Sequence, residues 1–181
     1  MENQLKHISK LMSLVLRHQP EAIGLILDKN GWASVQELIE KMNANGTQAN
    51  IEIIHTVVVT NDKKRFSFNE DKSKIRANQG HSLEVELNLN TTEPPVILYH
   101  GTAERFAAKI LQEGLIKQQR QHVHLSKDIE TAKAVGTRHG KPVILNINAR
   151  AMRQDGFVFY LSENKVWLVD EVPVQYITVN Q

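Results

Sequence analysis

Arg65-Phe66-Ser67-Phe68-Asn69-Glu70-Asp71-Lys72-Ser73-Lys74-Ile75-Arg76-Ala77 decides how the first half of the chain is built. Phe66 and Phe68 alternate with polar positions, Ile75 and Ala77 do the same, and residues 69–73 form a polar turn between them, which is the pattern of a β-hairpin. With Phe66, Phe68, Ile75 and Ala77 facing inward, period-two alternation places Arg65 and Arg76 together on the outward face.

Upstream, Leu5, Ile8, Leu11, Met12, Val15 and Leu16 recur at helical spacing, and Gln19-Pro20 ends that helix. Residues 25–32 read as a short extended segment and a turn. Ser34 opens a second helix, with Glu37 completing a capping box and Val35, Leu38, Ile39 and Met42 on its inner face. Residues 51–60 are rich in β-branched side chains, which argues for a strand. Asn50 is a suitable N-cap, however, and Ile51, Ile54, Val57 and Val58 lie on one helical face, so the reading favours a helix. Three helices followed by a hairpin is the order of a winged helix.

Downstream, Leu83, Val85, Leu87 and Leu89 alternate with Glu84, Glu86 and Asn88, predicting a strand over 82–89. Residues 90–95, Asn-Thr-Thr-Glu-Pro-Pro, read as a linker. Short strands are then predicted at 96–100, 123–125, 143–148, 157–159, 166–169 and 176–179. Helices are predicted at about 104–113, closed by Gly114, and 128–135, started by Ser126. The chain is therefore α+β: an N-terminal winged-helix lobe over 1–89, a linker at 90–95, and a largely antiparallel β-sheet lobe over 96–181.

Composition bounds the rest. The chain has 181 residues, 41% of them hydrophobic and 23% charged, with no cysteine, which suits one ordinary domain or two small lobes and leaves no disulfide, thiolate zinc site or cysteine nucleophile. No apolar run approaches the ~18 residues of a membrane span, and the first residues carry no signal-like apolar stretch, so a cytoplasmic, membrane-free protein is expected. Residues 1–85 and 86–181 each hold 11 basic and 10 acidic side chains. A polyanion must then be met by a few placed cations, not by a general field.

Those cations and the histidines fall into short motifs, each open to two readings. Arg17-His18 is either a pair complementing the negative end of the first helix or a phosphate clamp with a proton donor beside it. Arg76-Ala77-Asn78-Gln79-Gly80-His81-Ser82 is a polar connection or a loop contacting phosphate or RNA. Tyr99-His100-Gly101-Thr102 is a turn with Thr102 as N-cap, or a place where glycine lets a ligand approach and His and Thr bind ribose or phosphate. Arg120, His122 and His124 share one side of a strand; a third metal ligand at convincing spacing is missing. Residues 136–142 are a turn or a ligand cover. Neither a P-loop nor a strand-linked G-x-G-x-x-G occurs.

Six segments in order resemble one family over nearly the whole chain: Leu14-Val15-Leu16-Arg17-His18, Asn61-Asp62-Lys63-Lys64-Arg65-Phe66, residues 75–82, His100-Gly101-Thr102, Val123-His124-Leu125-Ser126, and Val135-Gly136-Thr137-Arg138-His139-Gly140. They resemble the NAD-dependent RNA 2'-phosphotransferases that act in tRNA splicing and RNA repair. The resemblance implies a winged-helix lobe facing RNA and an ADP-ribosyltransferase-like lobe binding NAD. It implies a catalytic set at Arg17, His18, Arg65 and Arg120. NAD would be bound by His100, Gly101, Thr102, His124, Ser126, Gly136 and Arg138, and the RNA backbone by Arg76, Asn78, Gln79 and His81. Of the three-residue ADP-ribosyltransferase signature, His100 and His124 have counterparts. The third position falls on an apolar residue near Val166 where a Glu often stands, a poor arrangement for modifying protein side chains.

The resemblance further implies a reaction without metal in which an internal RNA 2'-phosphate is transferred to NAD. The products are 2'-hydroxyl RNA, ADP-ribose 1'',2''-cyclic phosphate and nicotinamide, formed by way of a 2'-phospho-ADP-ribosylated RNA. A monomer is the default expectation. The rivals are an ADP-ribosyltransferase acting on nucleic-acid phosphates and a non-catalytic winged-helix nucleic-acid binder.

Overall fold

A computed structural model describes residues 2–181, and the chain divides into two compact units, residues 1–88 and 89–181. In the first unit, helix α1 (Glu2–Arg17) buries Ile8, Met12, Val15 and Leu16, the i, i+4, i+7, i+8 stripe of an amphipathic helix. A 3-10 turn at Pro20–Ile23 follows. Strand β1 (Ala33–Ser34) leads into α2 (Val35–Ala44), where Ser34 Oγ accepts from the Glu37 N–H at 3.2 Å. Residues 51–60 do form a helix, α3 (Ile51–Thr60). Asn50 Oδ1 caps the Ile53 N–H at 2.9 Å, and burial of Ile54 and Val57 against the other helices outweighs the β-branched preference for strand.

The hairpin is strands β2 (Phe66–Phe68) and β3 (Lys74–Ala77), in antiparallel register Phe66↔Ala77, Ser67↔Arg76 and Phe68↔Ile75. β1 adds to the other edge of β3, giving the order β1-β3-β2. Phe66, Ile75 and Ala77 join Ile8, Met12, Leu16, Leu38, Met42 and Ile54 in one core.

Residues 82–89 do not form the expected strand. Alternation survives in burial, with Val85 and Leu87 inside and Glu84 and Glu86 outside, but the stretch has no strand beside it. It is tied by Glu86 N–H to the Lys29 carbonyl at 2.8 Å and by Asn30 Nδ2 to the Glu86 carbonyl at 2.7 Å. Alternating apolar residues thus mark a half-buried extended chain, and a ladder needs a partner that this segment lacks.

In the second unit, residues 90–95 are held in place: Thr91 bridges Tyr160, and the Thr92 N–H donates to the Phe159 carbonyl at 2.8 Å. Strands β4 (Leu98–Ala103), β7 (Pro142–Ile147) and β11 (Ile177–Val179) make one antiparallel sheet in the order β11-β7-β4. Strands β6 (Val123–Leu125), β8 (Tyr160–Leu161) and β9 (Trp167–Val169) make a second, and β5 (Leu115–Ile116) pairs with β10 (Glu171–Val172). The strand expected at 157–159 begins at Tyr160 instead, and Thr102, a candidate N-cap, lies inside β4. Helix α4 (Glu104–Glu113) is preceded by Ala103, which makes no side-chain cap.

Helix α5 (Ile129–Gly136) is capped by Asp128, whose Oδ1 accepts from the Thr131 N–H at 2.7 Å. Ser126, the expected start, is spent in a two-way backbone bridge with Tyr99 at 2.8 Å each way. A sixth helix, α6 (Ala149–Gln154) capped by Asn148, was not anticipated; at six residues it is too short to show periodicity. Among the described residues no helix is long and apolar enough to cross a membrane.

α5 lies on β4 backbone to backbone. A Cβ on Gly101 would stand 1.6 Å from the Ala132 carbonyl oxygen, and one on Gly136 would stand 2.8 Å from the Thr102 oxygen. Gly101→Ala is therefore expected to destabilise the second unit by about 3 kcal/mol or more, since backbone cannot step aside as a rotamer can. Gly46→Ala meets nothing within 4 Å and carries only the penalty of its positive φ, about 1–2 kcal/mol. Urea unfolding of the two variants measures the difference.

Candidate active site

The last carbonyls of a helix have no partner within it. In α1, the Leu14 carbonyl accepts from the His18 and Gln19 N–H groups at 2.9 Å each, and the Arg17 carbonyl accepts from the Ser82 N–H at 3.0 Å. The chain leaving the hairpin thus returns to close α1, and Ser82 Oγ comes to 2.9 Å from His18 Nδ1. Arg17 and His18, both half-buried, sit at the helix end whose partial negative charge favours cations.

Arg76 joins them from β3. Its guanidinium lies 4.5 Å from the centroid of the Trp32 ring, a cation–π contact that holds a delocalised charge flat. The Trp32 turn is itself pinned by Asp28, whose Oδ1 accepts from the Asn30 and Trp32 N–H groups at 2.9 and 3.0 Å. Burial pushes the Asp28 carboxyl up, but the hydrogen bonds from Trp32, Asn30 and Lys74 outweigh it and hold the group below the usual carboxylate range.

His81 lies beneath these cations, with no exposed surface and no hydrogen-bond partner on either ring nitrogen among the described residues. Burial first, then the positive charges of Arg17, His18 and Arg76, push its imidazole down to about 4. Arg17, His18 and Arg76 thus all act on this imidazole in the same direction as burial. Arg65 opens β2, its N–H donating to Asn61 Oδ1 at 3.3 Å and its carbonyl accepting from the Asn78 N–H at 2.8 Å.

In the second unit, β4 and β6 carry the histidines. His100 Nδ1 lies 3.2 Å from the His124 carbonyl. A carbonyl only accepts, so Nδ1 carries the hydrogen and Nε2 is the acceptor. Burial keeps this imidazole below its ordinary value; the bond to the His124 carbonyl opposes that and the Arg120 charge adds to it. Arg120 Nη1 lies 3.3 Å from His124 Nδ1. A guanidinium only donates, so His124 presents its hydrogen on Nε2. Neighbouring imidazoles are thereby set in opposite tautomers, one accepting and one donating. His122, grouped with Arg120 and His124 by strand alternation, packs edge-on against Tyr160 with ring centroids 5.6 Å apart.

Several residues stand otherwise than expected. His81 and Asn78, assigned to an RNA backbone, are 0% and 5% exposed, and Asn78 Nδ2 is committed to the Lys64 carbonyl at 2.6 Å. Both lie in the interior of the first unit. The space over Gly101, read as room for a ligand, is filled by α5, and Gly136 serves the same contact. Thr102 is buried in β4, Ser126 holds the Tyr99 bridge, and Arg138 is exposed on the 3-10 turn Thr137–His139. Gln79 is half-buried just beyond β3. Trp32 and Ser82 drew no role from sequence, since nothing local places an indole under residue 76 or a hydroxyl against residue 18. Among the described residues no group of three or more His, Asp or Glu side chains could hold a metal ion.

Comparison with known proteins gives the class. Residues 3–171 match the model of the RNA 2'-phosphotransferase, Tpt1 / KptA family. The chain is 62% identical over 176 residues to a "Probable RNA 2'-phosphotransferase" of Flavobacterium johnsoniae, covering 97% of each chain. It is 57% identical to one of Fusobacterium nucleatum, covering 98% of this chain and 99% of that one. With one of Acaryochloris marina the identity is 56%, over 97% of each. The chain belongs to the RNA 2'-phosphotransferase family.

The buried imidazole makes the first unit pH-sensitive. Unfolded, His81 takes up a proton near 6.5; folded, it stays neutral down to about 4. Its contribution is present above pH 6.5 and is lost as pH falls toward 4, reaching about 3 kcal/mol at most. Urea titrations on a Trp167→Phe background, with Trp32 as the fluorophore, are expected to show this loss, and His81→Leu is expected to flatten it.

Proposed function

We propose that this protein removes an internal RNA 2'-phosphate by transferring it to NAD, which is consumed as a co-substrate. Membership of this family carries the reading, and Arg17, His18 and Arg76, which all bear on the enclosed His81, support it. A phosphate monoester beside a polyanionic strand needs several cations in fixed positions, and guanidinium forks supply them. The three helices and antiparallel hairpin of the first unit support a winged-helix fold facing RNA. The antiparallel sheets and the His100 and His124 pair of the second support an ADP-ribosyltransferase-like fold for NAD. An acceptor on His100 and a donor on His124 fit a ligand such as a ribose diol, which both donates and accepts.

In the first step a 2'-phosphate oxygen attacks C1'' of the nicotinamide ribose. The bond to the nicotinamide nitrogen breaks, and its electron pair neutralises the pyridinium. The transition state is oxocarbenium-like and depends mainly on positioning. In the second step O2'' attacks phosphorus and gives its proton to the surrounding water, and the bond from phosphorus to the RNA 2'-oxygen breaks. Arg17 and Arg65 stabilise charge on the phosphoryl oxygens, and His18 protonates the departing 2'-oxygen. The products are 2'-hydroxyl RNA and ADP-ribose 1'',2''-cyclic phosphate, with no metal required.

Incubating a short RNA carrying one internal 2'-phosphate with the protein, EDTA, and with or without NAD tests this. Dephosphorylation only with NAD, together with the cyclic phosphate, is expected, and Arg65→Ala is expected to stall at ADP-ribosylated RNA. Persistent ADP-ribose on RNA from the wild-type protein would instead mark a nucleic-acid ADP-ribosyltransferase. Untouched NAD would leave only a binding module.

A further inference from the structure

Ser82 lies 64 residues from His18 in sequence, and its side chain is exposed. Its oxygen is 2.9 Å from His18 Nδ1, and its hydroxyl points as donor at the Arg17 carbonyl, 3.5 Å away. Its backbone N–H donates to the same carbonyl at 3.0 Å, which fixes where the side chain begins. A hydroxyl has one proton and two lone pairs, whereas a carbonyl can only accept. A hydroxyl proton directed at Arg17 leaves Ser82 Oγ to face His18 as an acceptor, the arrangement in which Nδ1 carries the hydrogen. Which nitrogen of a histidine is protonated is set by the bond the other one makes.

We propose that Ser82 is a positioning residue that holds His18 with its hydrogen on Nδ1, so that the proton given to the RNA 2'-oxygen leaves from Nε2. The inference rests on the reading of His18 as the general acid of the second step. Protonated His18 gives up its Nε2 hydrogen as the bond from phosphorus to the 2'-oxygen breaks, and that bond's electron pair stays on the oxygen and takes the proton. The imidazole is left neutral with hydrogen on Nδ1, the form Ser82 accepts from. Nε2 regains a proton from the medium without ring rotation or tautomer exchange. Asn78 and His81 lie in the interior, but Ser82 is exposed, so truncating it opens no cavity.

The test uses the full chain with histidine labelled by nitrogen-15. Long-range proton–nitrogen correlations of neutral His18 are expected to show the Nδ1–H form in the wild type and a shift toward Nε2–H in Ser82→Ala. Rapid-quench single turnovers on 2'-phosphorylated RNA are expected to show the second step slowed roughly 10- to 100-fold in Ser82→Ala, with ADP-ribosylated RNA accumulating and the first step unchanged. Ser82→Thr, which keeps the hydroxyl, is expected to restore both the tautomer and the rate. An Ala variant that keeps the Nδ1–H form, or one that changes tautomer without slowing the second step, overturns the inference while the phosphotransferase reading stands. A wild-type protein that leaves NAD untouched overturns that reading and the catalytic half of the inference together.

Discussion

Like charges held close in a protein interior repel, and the first unit is organised around that constraint. Arg17, His18 and Arg76 converge on His81, which tolerates them only as a neutral, fully enclosed ring. Nothing in the overall charge supplies relief, because the chain carries only +2. Each cation is instead held by a local device: the negative end of α1 for Arg17 and His18, and the face of Trp32 for Arg76. Side chains restrained in this way are ordered before any ligand binds, so that less binding free energy is spent on ordering them.

The second unit answers a different constraint, the distance between backbones. Gly101 and Gly136 let α5 lie directly on β4, closer than any side chain would permit. β4 also carries His100, and the Tyr99–Ser126 bridge ties it to the strand that carries His124. Helix packing and site geometry are therefore set by the same strand. Gly101, in the middle of the His-Gly-Thr motif, serves the packing of α5 on β4.

Local order was legible in the sequence wherever a local force decides it. Ser34 and Asn50 cap the helices that they precede, because a side-chain oxygen two or three residues from an unsatisfied N–H needs no tertiary help. The hairpin register follows from alternation and a five-residue turn. The reading failed where a choice depends on distant partners. Residues 82–89 have the alternation of a strand and no strand to pair with. Ser126 has the chemistry of an N-cap and is taken by Tyr99, so Asp128 caps α5 instead.

The candidate site divides in the same way. Sequence alone determined which residues are candidates for chemistry, because arginine, histidine and glycine in six ordered segments are a property of composition and order. It also determined the helical and strand periodicity that brings those segments to the ends of elements. Only the tertiary structure decided which of them face outward: it buried His81 and Asn78, filled the space over Gly101 with α5, and brought Trp32 to Arg76 and Ser82 to His18. The Trp32–Arg76 and Ser82–His18 contacts join residues 44 and 64 positions apart, and burial, charge and hydrogen-bond valence there are settled by the folded surroundings and not by neighbours along the chain.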